Sequence, residues 1–186
     1  DMACGKMTAG LEIYQWAKNN DINTGFIATG QIGITLMGQG IPLDAIKVDH
    51  ACGAVEQIVL KNRDKSLLII EGQGSLLHPG SSASLPLIRG SCPTDMILCH
   101  RADKVTLRNL EKIKIPELKD FIDLNESLAS ACGTYGTPKV IGIALNTSKL
   151  SKSDSLNYIV NLEKQTGLPV TDVIRFGVEK IVRQLL

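Results

Sequence analysis

The chain has 186 residues, 44% hydrophobic but only 4% aromatic, and carries a formal net charge of +1 from twenty basic and nineteen acidic side chains. That length suits one α/β domain, residues 1–186, with a core of aliphatic side chains and alanine. The charge balance offers no electrostatic handle for nucleic acid or an anionic membrane, and no apolar run approaches the roughly 20 residues of a spanning helix.

The chain opens on D-M-A-C-G-K-M-T, residues 1–8, and a helical pattern with Leu11, Ile13, Tyr14, Trp16 and Ala17 follows to Asn19. A Gly-Lys pair at a helix start is a phosphate cradle, because unpaired N–H groups and the helix dipole meet a lysine charge there. The usual loop follows a β-strand and begins with a further glycine. Neither stands before Asp1, so both are expected upstream in a longer chain.

Gly25–Gly30 reads as a short strand ending in small residues, and Q-I-G-I-T-L-M-G-Q-G after it as a glycine-punctuated loop. Pro42, Leu43 and Asp44 mark a turn before a short strand-like stretch ending at Asp49 and His50. Ala51–Lys61 reads as a helix. Ser66–Ile70 is a continuous apolar run, the pattern of a strand covered on both faces. It stops at Glu71-Gly72-Gln73-Gly74-Ser75, and Leu76–Cys92 reads as loop-rich.

Thr94–Cys99 reads as another buried strand, followed by His100 and Arg101, and Glu117–Ala131 as a helix. Lys139–Leu145 is a strand ending at Asn146-Thr147, and Ser153–Thr166 a helix with Asp154 suited to its dipole. Val170–Ile174 reads as a last short strand and Gly177–Leu186 as a closing helix. Strands alternating with helices predict a mostly parallel sheet with right-handed crossovers. With the upstream strand restored, the fold class is α/β, a three-layer P-loop NTPase-like sandwich.

Lys6 is the leading site residue, expected to contact terminal phosphates within the loop formed by Asp1, Cys4, Gly5, Lys6, Met7 and Thr8. The alternative, a solvated structural lysine, is poorly served by a helix N-terminus. A hydroxyl residue ordinarily follows the lysine directly. Met7 stands there, which weakens Thr8 as a magnesium ligand.

Glu71 leaves a buried strand between glycines that admit a ligand. It reads as a divalent-cation ligand beside phosphates or as a general base; the alternative is an acid capping a neighbouring helix. Asp49 and His50 read either as further members of a metal shell or as a plain loop pair. His78 is a base or phosphate contact, or simply an exposed loop histidine. Arg101 has the fork for a carboxylate or phosphate, and Asn146 stands where nucleotide binders read a base. In a parallel sheet Lys6, Thr29, Asp49, Glu71, His100 and Asn146 are expected along one edge. Five cysteines with no C-x-x-C pair predict reduced thiols in the cytoplasm.

D-M-A-C-G-K-M-T resembles the G-T-D-x-x-x-G-K loop of dethiobiotin synthetase without its Gly-Thr, and L-L-I-I-E-G-Q-G-S resembles that family's V-V-E-G-A-G-G strand end. That resemblance implies ATP and Mg2+, with phosphate on Lys6 and the metal among Thr8, Asp49 and Glu71. Over residues 1–101, G-K-M-T, F-I-A-T-G-Q-I-G-I, A-C-G-A-V-E, E-G-Q-G-S-L-L-H-P and I-L-C-H-R together resemble a family joining a Rossmann-like N-terminal domain to a C-terminal P-loop domain. That family includes D-glutamate N-acetyltransferases using acetyl-CoA. The resemblance implies packing against an N-terminal domain and a small-molecule substrate; a homo-oligomer stays open. Three functions compete: ATP–Mg-dependent carboxylate activation, acetyl transfer to a D-amino acid, and non-catalytic nucleotide sensing.

Overall fold

The structure, a computed structural model, describes residues 3–185. The chain divides into two compact units: Lys6–Cys92, and Asp1–Gly5 with Pro93–Leu186. The architecture is α/β with mostly parallel strand pairing, as the alternating pattern predicts.

The Lys6–Cys92 unit begins with α1 (Lys6–Asn19), which buries Ala9, Ile13 and Ala17. Small residues on that face let α1 lie close to β1 (Thr24–Ile27). A Cβ on Gly10 would sit 3.1 Å from the Phe26 ring, and Tyr14 meets that ring edge-on at 5.8 Å. β1 pairs in parallel with β2 (Leu67–Ile70), from Thr24 opposite Leu67 to Ile27 opposite Ile70. The crossover carries α2 (Gln31–Met37), a 3-10 turn at Leu43–Ala45 and α3 (Val48–Lys61). α4 (Ser84–Ser91) packs on α3 so tightly that a Cβ on Gly90 would meet the Cys52 carbonyl oxygen at 2.4 Å. Ile41, Leu43, Ala51, Val55 and Leu87 form this unit's core.

The other unit holds β3 (Asp95–Arg101), β6 (Lys139–Asn146) and β7 (Val170–Thr171) in one parallel sheet of that order. Between β3 and β6 lie an antiparallel hairpin, β4 (Thr106–Leu107) with β5 (Leu110–Lys114), and α5 (Leu118–Ser130). α6 (Lys152–Thr166) is capped by the Ser151 hydroxyl, which accepts from the Asp154 N–H. α7 (Val173–Phe176), α8 (Glu179–Val182) and a 3-10 turn, Arg183–Leu185, close the chain. Ile122, Val140, Ile143, Leu145, Ile159, Leu162 and Val170 make the core, where full burial of each large aliphatic side chain contributes about 1.5–3 kcal/mol.

Several sequence expectations are corrected. Gln31–Met37 is helical although read as a loop. Gly33 lowers its helix propensity, but the glycine serves a close approach described below, and Gly38 ends the helix in a left-handed C-cap. Asp49 and His50 lie in the first turn of α3, not at a strand end. Ser84–Ser91 is a helix despite Pro86, which sits in the first turn where its missing N–H has no intrahelical partner to lose. The Gly177–Leu186 helix is two short pieces. β2 and β3, read as buried on both faces, are half-buried along Leu67–Ile70 and Met96–Arg101.

Candidate functional site

The phosphate-type loop is built from local backbone geometry. Ala3 and Gly5 both take positive φ, 54° and 104°, and α1 starts at Lys6 directly afterwards. No acidic residue occupies the first turn of α1. Cys4 is buried, while Met7 and Thr8 are half-buried in that turn. Asp1 lies outside the described residues.

The Lys6 stem crosses the bare Cα of Gly72. A Cβ there would stand 3.0 Å from Lys6 Cδ and 3.7 Å from Cγ. Gly72 follows Glu71 in the chain, so the Lys6 stem packs on the residue next to the leading acid, within the Lys6–Cys92 unit.

Glu71 is only 6% exposed. Its N–H donates to the Ile27 carbonyl at 2.9 Å, carrying the β1–β2 ladder one residue further. Its Oε2 accepts from the Thr29 N–H at 2.9 Å and the Gly30 N–H at 3.3 Å. The Thr29 hydroxyl donates to the Glu71 carbonyl at 2.9 Å. A Cβ on Gly33 would reach Oε2 at 2.4 Å, so glycine there makes room for the carboxylate. Oε1 takes no hydrogen bond from any described residue. Glu71 Oε2 therefore holds the two N–H groups that lead into α2, and α2 itself receives no side-chain cap.

Serines brace the loop after Glu71, a contribution not legible in the sequence. Ser84 Oγ donates to the Gln73 carbonyl at 2.9 Å, Ser81 Oγ accepts from the Ser75 N–H at 3.0 Å, and Ser75 Oγ accepts from the Leu77 N–H at 3.2 Å. Gly74, at φ 68°, makes the turn these bonds require. His78 Nδ1 accepts from the Gly80 N–H at 3.1 Å. In a neutral imidazole the proton then sits on Nε2, so this arrangement presents a donor rather than a base.

In the other unit, β3 and β6 end in register, with Arg101 opposite Asn146. Asn146 Oδ1 accepts from the Ser148 N–H at 3.1 Å, and its Nδ2 lies 3.9 Å from the Cβ position of Gly5, against the loop. The Arg101 fork is occupied: Nε and one terminal nitrogen donate to the Asp103 carboxylate at 3.0 and 2.8 Å. That bond holds the Asp103 carboxyl below its usual range. Burial in β3 pushes the His100 imidazole down to about 4. The sequence reading missed Asp172. It is 5% exposed and accepts from the Thr147 N–H and hydroxyl and from the Ile174 and Arg175 N–H groups, which anchors the turn after Asn146.

Asp49 is exposed on α3, and among the described residues no three of His, Cys, Asp or Glu gather to hold a metal ion. None of the five cysteines forms a disulfide with another described residue. No helix among the described residues is long and apolar enough to cross a membrane.

A profile described as "Domain of unknown function (DUF1611_C) P-loop domain" matches residues 1–182. The chain belongs to the DUF1611 P-loop domain family. This is the family whose two-domain members its motifs resemble. A crystal structure of a DUF1611 family protein from Anabaena variabilis ATCC 29413, at 2.30 Å resolution, superposes on the DUF1611 domain with a TM-score of 0.97 at 48% identity, over 100% of this chain and 54% of that one. Two relatives named D-glutamate N-acetyltransferase match over all 186 residues. One, from Tritonibacter scottomollicae, is 34% identical, and one, from Pseudoalteromonas sp, is 35% identical. The chain spans about half the length of these curated relatives, 55% of each.

Proposed function

We propose that this DUF1611 domain holds the phosphates of acetyl-CoA in an enzyme that acetylates the amino group of a D-amino acid, D-glutamate being the acceptor in the relatives' names. The observation that carries this reading is the match of those relatives across the entire chain. Lys6, at an N-terminus with no acidic first turn, would bind the coenzyme's phosphates.

Glu71 is the general base. Its Oε2 is held by two backbone N–H groups, which fixes the carboxylate plane and leaves Oε1 to take a proton. The acceptor nitrogen bonds to the acetyl carbonyl carbon, the carbon–sulfur bond breaks, and the amine proton passes by way of Glu71 to the departing thiolate. The products are the N-acetyl amino acid and coenzyme A. His78 is better suited to donate a hydrogen bond than to serve as the base, since Nδ1 is already accepting.

The test uses the full-length protein with acetyl-CoA and D-glutamate, with ATP–Mg2+ in a parallel arm. Formation of N-acetyl-D-glutamate and free thiol, without nucleotide hydrolysis, is the expected result. Phosphate release from ATP without acetyl transfer would instead support a dethiobiotin-synthetase-like reaction with Mg2+. Thermal stabilisation by a nucleotide with no turnover of any kind would support a sensing domain.

A further inference from the structure

Gly30 separates the β1 strand end from α2, and its missing side chain leaves a notch beside Glu71. Three side-chain atoms converge on the point a Cβ of residue 30 would occupy: Gln73 Oε1 at 3.5 Å, Gln73 Nε2 at 3.7 Å and Glu71 Oε1 at 3.8 Å. Neither the Gln73 amide nor Glu71 Oε1 bonds to any described residue. Glu71 is more than nine-tenths buried and Gln73 half-buried. Among the described residues no buried side-chain nitrogen or oxygen lacks a hydrogen-bond partner, so the unbonded Glu71 Oε1 and Gln73 amide are open to solvent, and the notch presents both to an incoming polar ligand.

The donor and acceptor set identifies the ligand class. Glu71 Oε1 only accepts, which suits an amine or ammonium. The Gln73 amide both donates and accepts, and its Nε2 suits a carboxylate. An amine and a carboxylate on one carbon are an α-amino acid. We infer that the Gly30 notch binds the α-amino and α-carboxylate groups of the acceptor, with Gln73 the residue that distinguishes an α-amino acid from a simple amine. This rests on the acetyl-transfer reading and adds to it a specificity-determining residue. The Gln73 carbonyl is fixed by Ser84 Oγ at 2.9 Å, which holds the backbone from which the amide reaches the notch.

The experiment compares D-glutamate with 4-aminobutyrate, the same skeleton without the α-carboxylate, on the full-length protein. Gln73→Ala is expected to lower the ratio of kcat/KM for D-glutamate over 4-aminobutyrate by about tenfold or more, since a buried carboxylate loses its donor. Gln73→Glu, which faces the α-carboxylate with a like charge, is expected to lower it further. Gly30→Ala fills the notch in ordinary van der Waals contact at a φ of −123°, which alanine adopts freely, so it should fold normally yet weaken D-glutamate binding about tenfold or more by calorimetry without acetyl-CoA. An unchanged substrate ratio in Gln73→Ala, wild-type affinity in Gly30→Ala, or a wild-type protein that binds no α-amino acid would each overturn the inference. If the wild type binds D-glutamate but does not acetylate it, the acetyl-transfer reading fails alone, and the two affinities still decide the notch.

Discussion

Thr29 donates twice to Glu71, from its N–H to Oε2 and from its hydroxyl to the Glu71 carbonyl, each at 2.9 Å. The pair ties the end of β2 to the end of β1 by side chain and main chain together. It leaves a charged group buried, oriented and half used.

Glu71→Gln keeps an oxygen for the Thr29 and Gly30 N–H groups, so its melting temperature should stay close to wild type. Its acetyl-transfer kcat should fall about 100- to 10,000-fold, the usual loss for a general base. Glu71→Ala strands two buried donors and should also cost about 2 kcal/mol in urea denaturation. Wild-type turnover in Glu71→Gln would remove the carboxylate from the chemistry.

Gly33→Ala tests the position of that carboxylate. Helix propensity favours alanine over glycine by about 1 kcal/mol, but the new Cβ would stand 2.4 Å from Oε2 and 3.1 Å from Ala28 Cβ. The carboxylate must move, so kcat should drop at least about tenfold while far-ultraviolet circular dichroism is unchanged. A variant with full activity and higher stability would show that Oε2 needs no fixed place.

Lys6→Met preserves the stem that lies over Gly72 and removes only the charge. Acetyl-CoA affinity measured by calorimetry should fall about 10- to 100-fold, the value of a charge-assisted hydrogen bond. Binding to wild type should weaken as salt rises. Equal affinity of the two proteins would place the phosphates elsewhere.

His100 makes stability depend on pH. Its pKa in the folded chain lies at about 4, below the ordinary 6.5, because burial disfavours the charged ring. The unfolded chain therefore binds the extra proton first. This contribution is complete above about pH 6.5 and is lost as pH falls through 6.5 towards 4. Since the ring is half-buried, a loss of about 1–2 kcal/mol is expected over that window. His100→Gln should flatten the pH dependence of the urea midpoint between 6.5 and 4; an identical slope in both proteins would contradict this account.

Asp172 anchors the turn after Asn146. Asp172→Ala leaves the Thr147 and Ile174 N–H groups without their acceptor and should destabilise the protein by about 2 kcal/mol in urea. A change below about 0.5 kcal/mol would show that water replaces the carboxylate without cost.

The alternating pattern of aliphatic runs and helical periodicity was enough to read the α/β class, the parallel pairing and the helix that starts at Lys6. Those features rest on local spacing, which a sequence displays directly. The motifs G-K-M-T and E-G-Q-G-S-L-L-H-P likewise point to the family without coordinates. Other elements were invisible because their glycines and prolines have tertiary reasons. Gly33 breaks the helical pattern of α2 to admit the Glu71 carboxylate, and Gly90 breaks that of α4 so that the helix can lie against Cys52. Pattern alone scores both as loop. The β4–β5 hairpin, with its short strands and bulged register, offers no clear alternation to read.

Sequence by itself determined that a lysine begins a helix and that an acid ends an apolar strand. Only the tertiary structure decided that the lysine stem crosses Gly72, that Oε2 accepts from Thr29 and Gly30, and that Gln73 meets Glu71 over Gly30. The physical reason is range. Helix starts and strand ends depend on neighbours within a few residues, whereas Thr29 and Glu71 meet across 42 positions of chain, in a strand register that no local preference encodes.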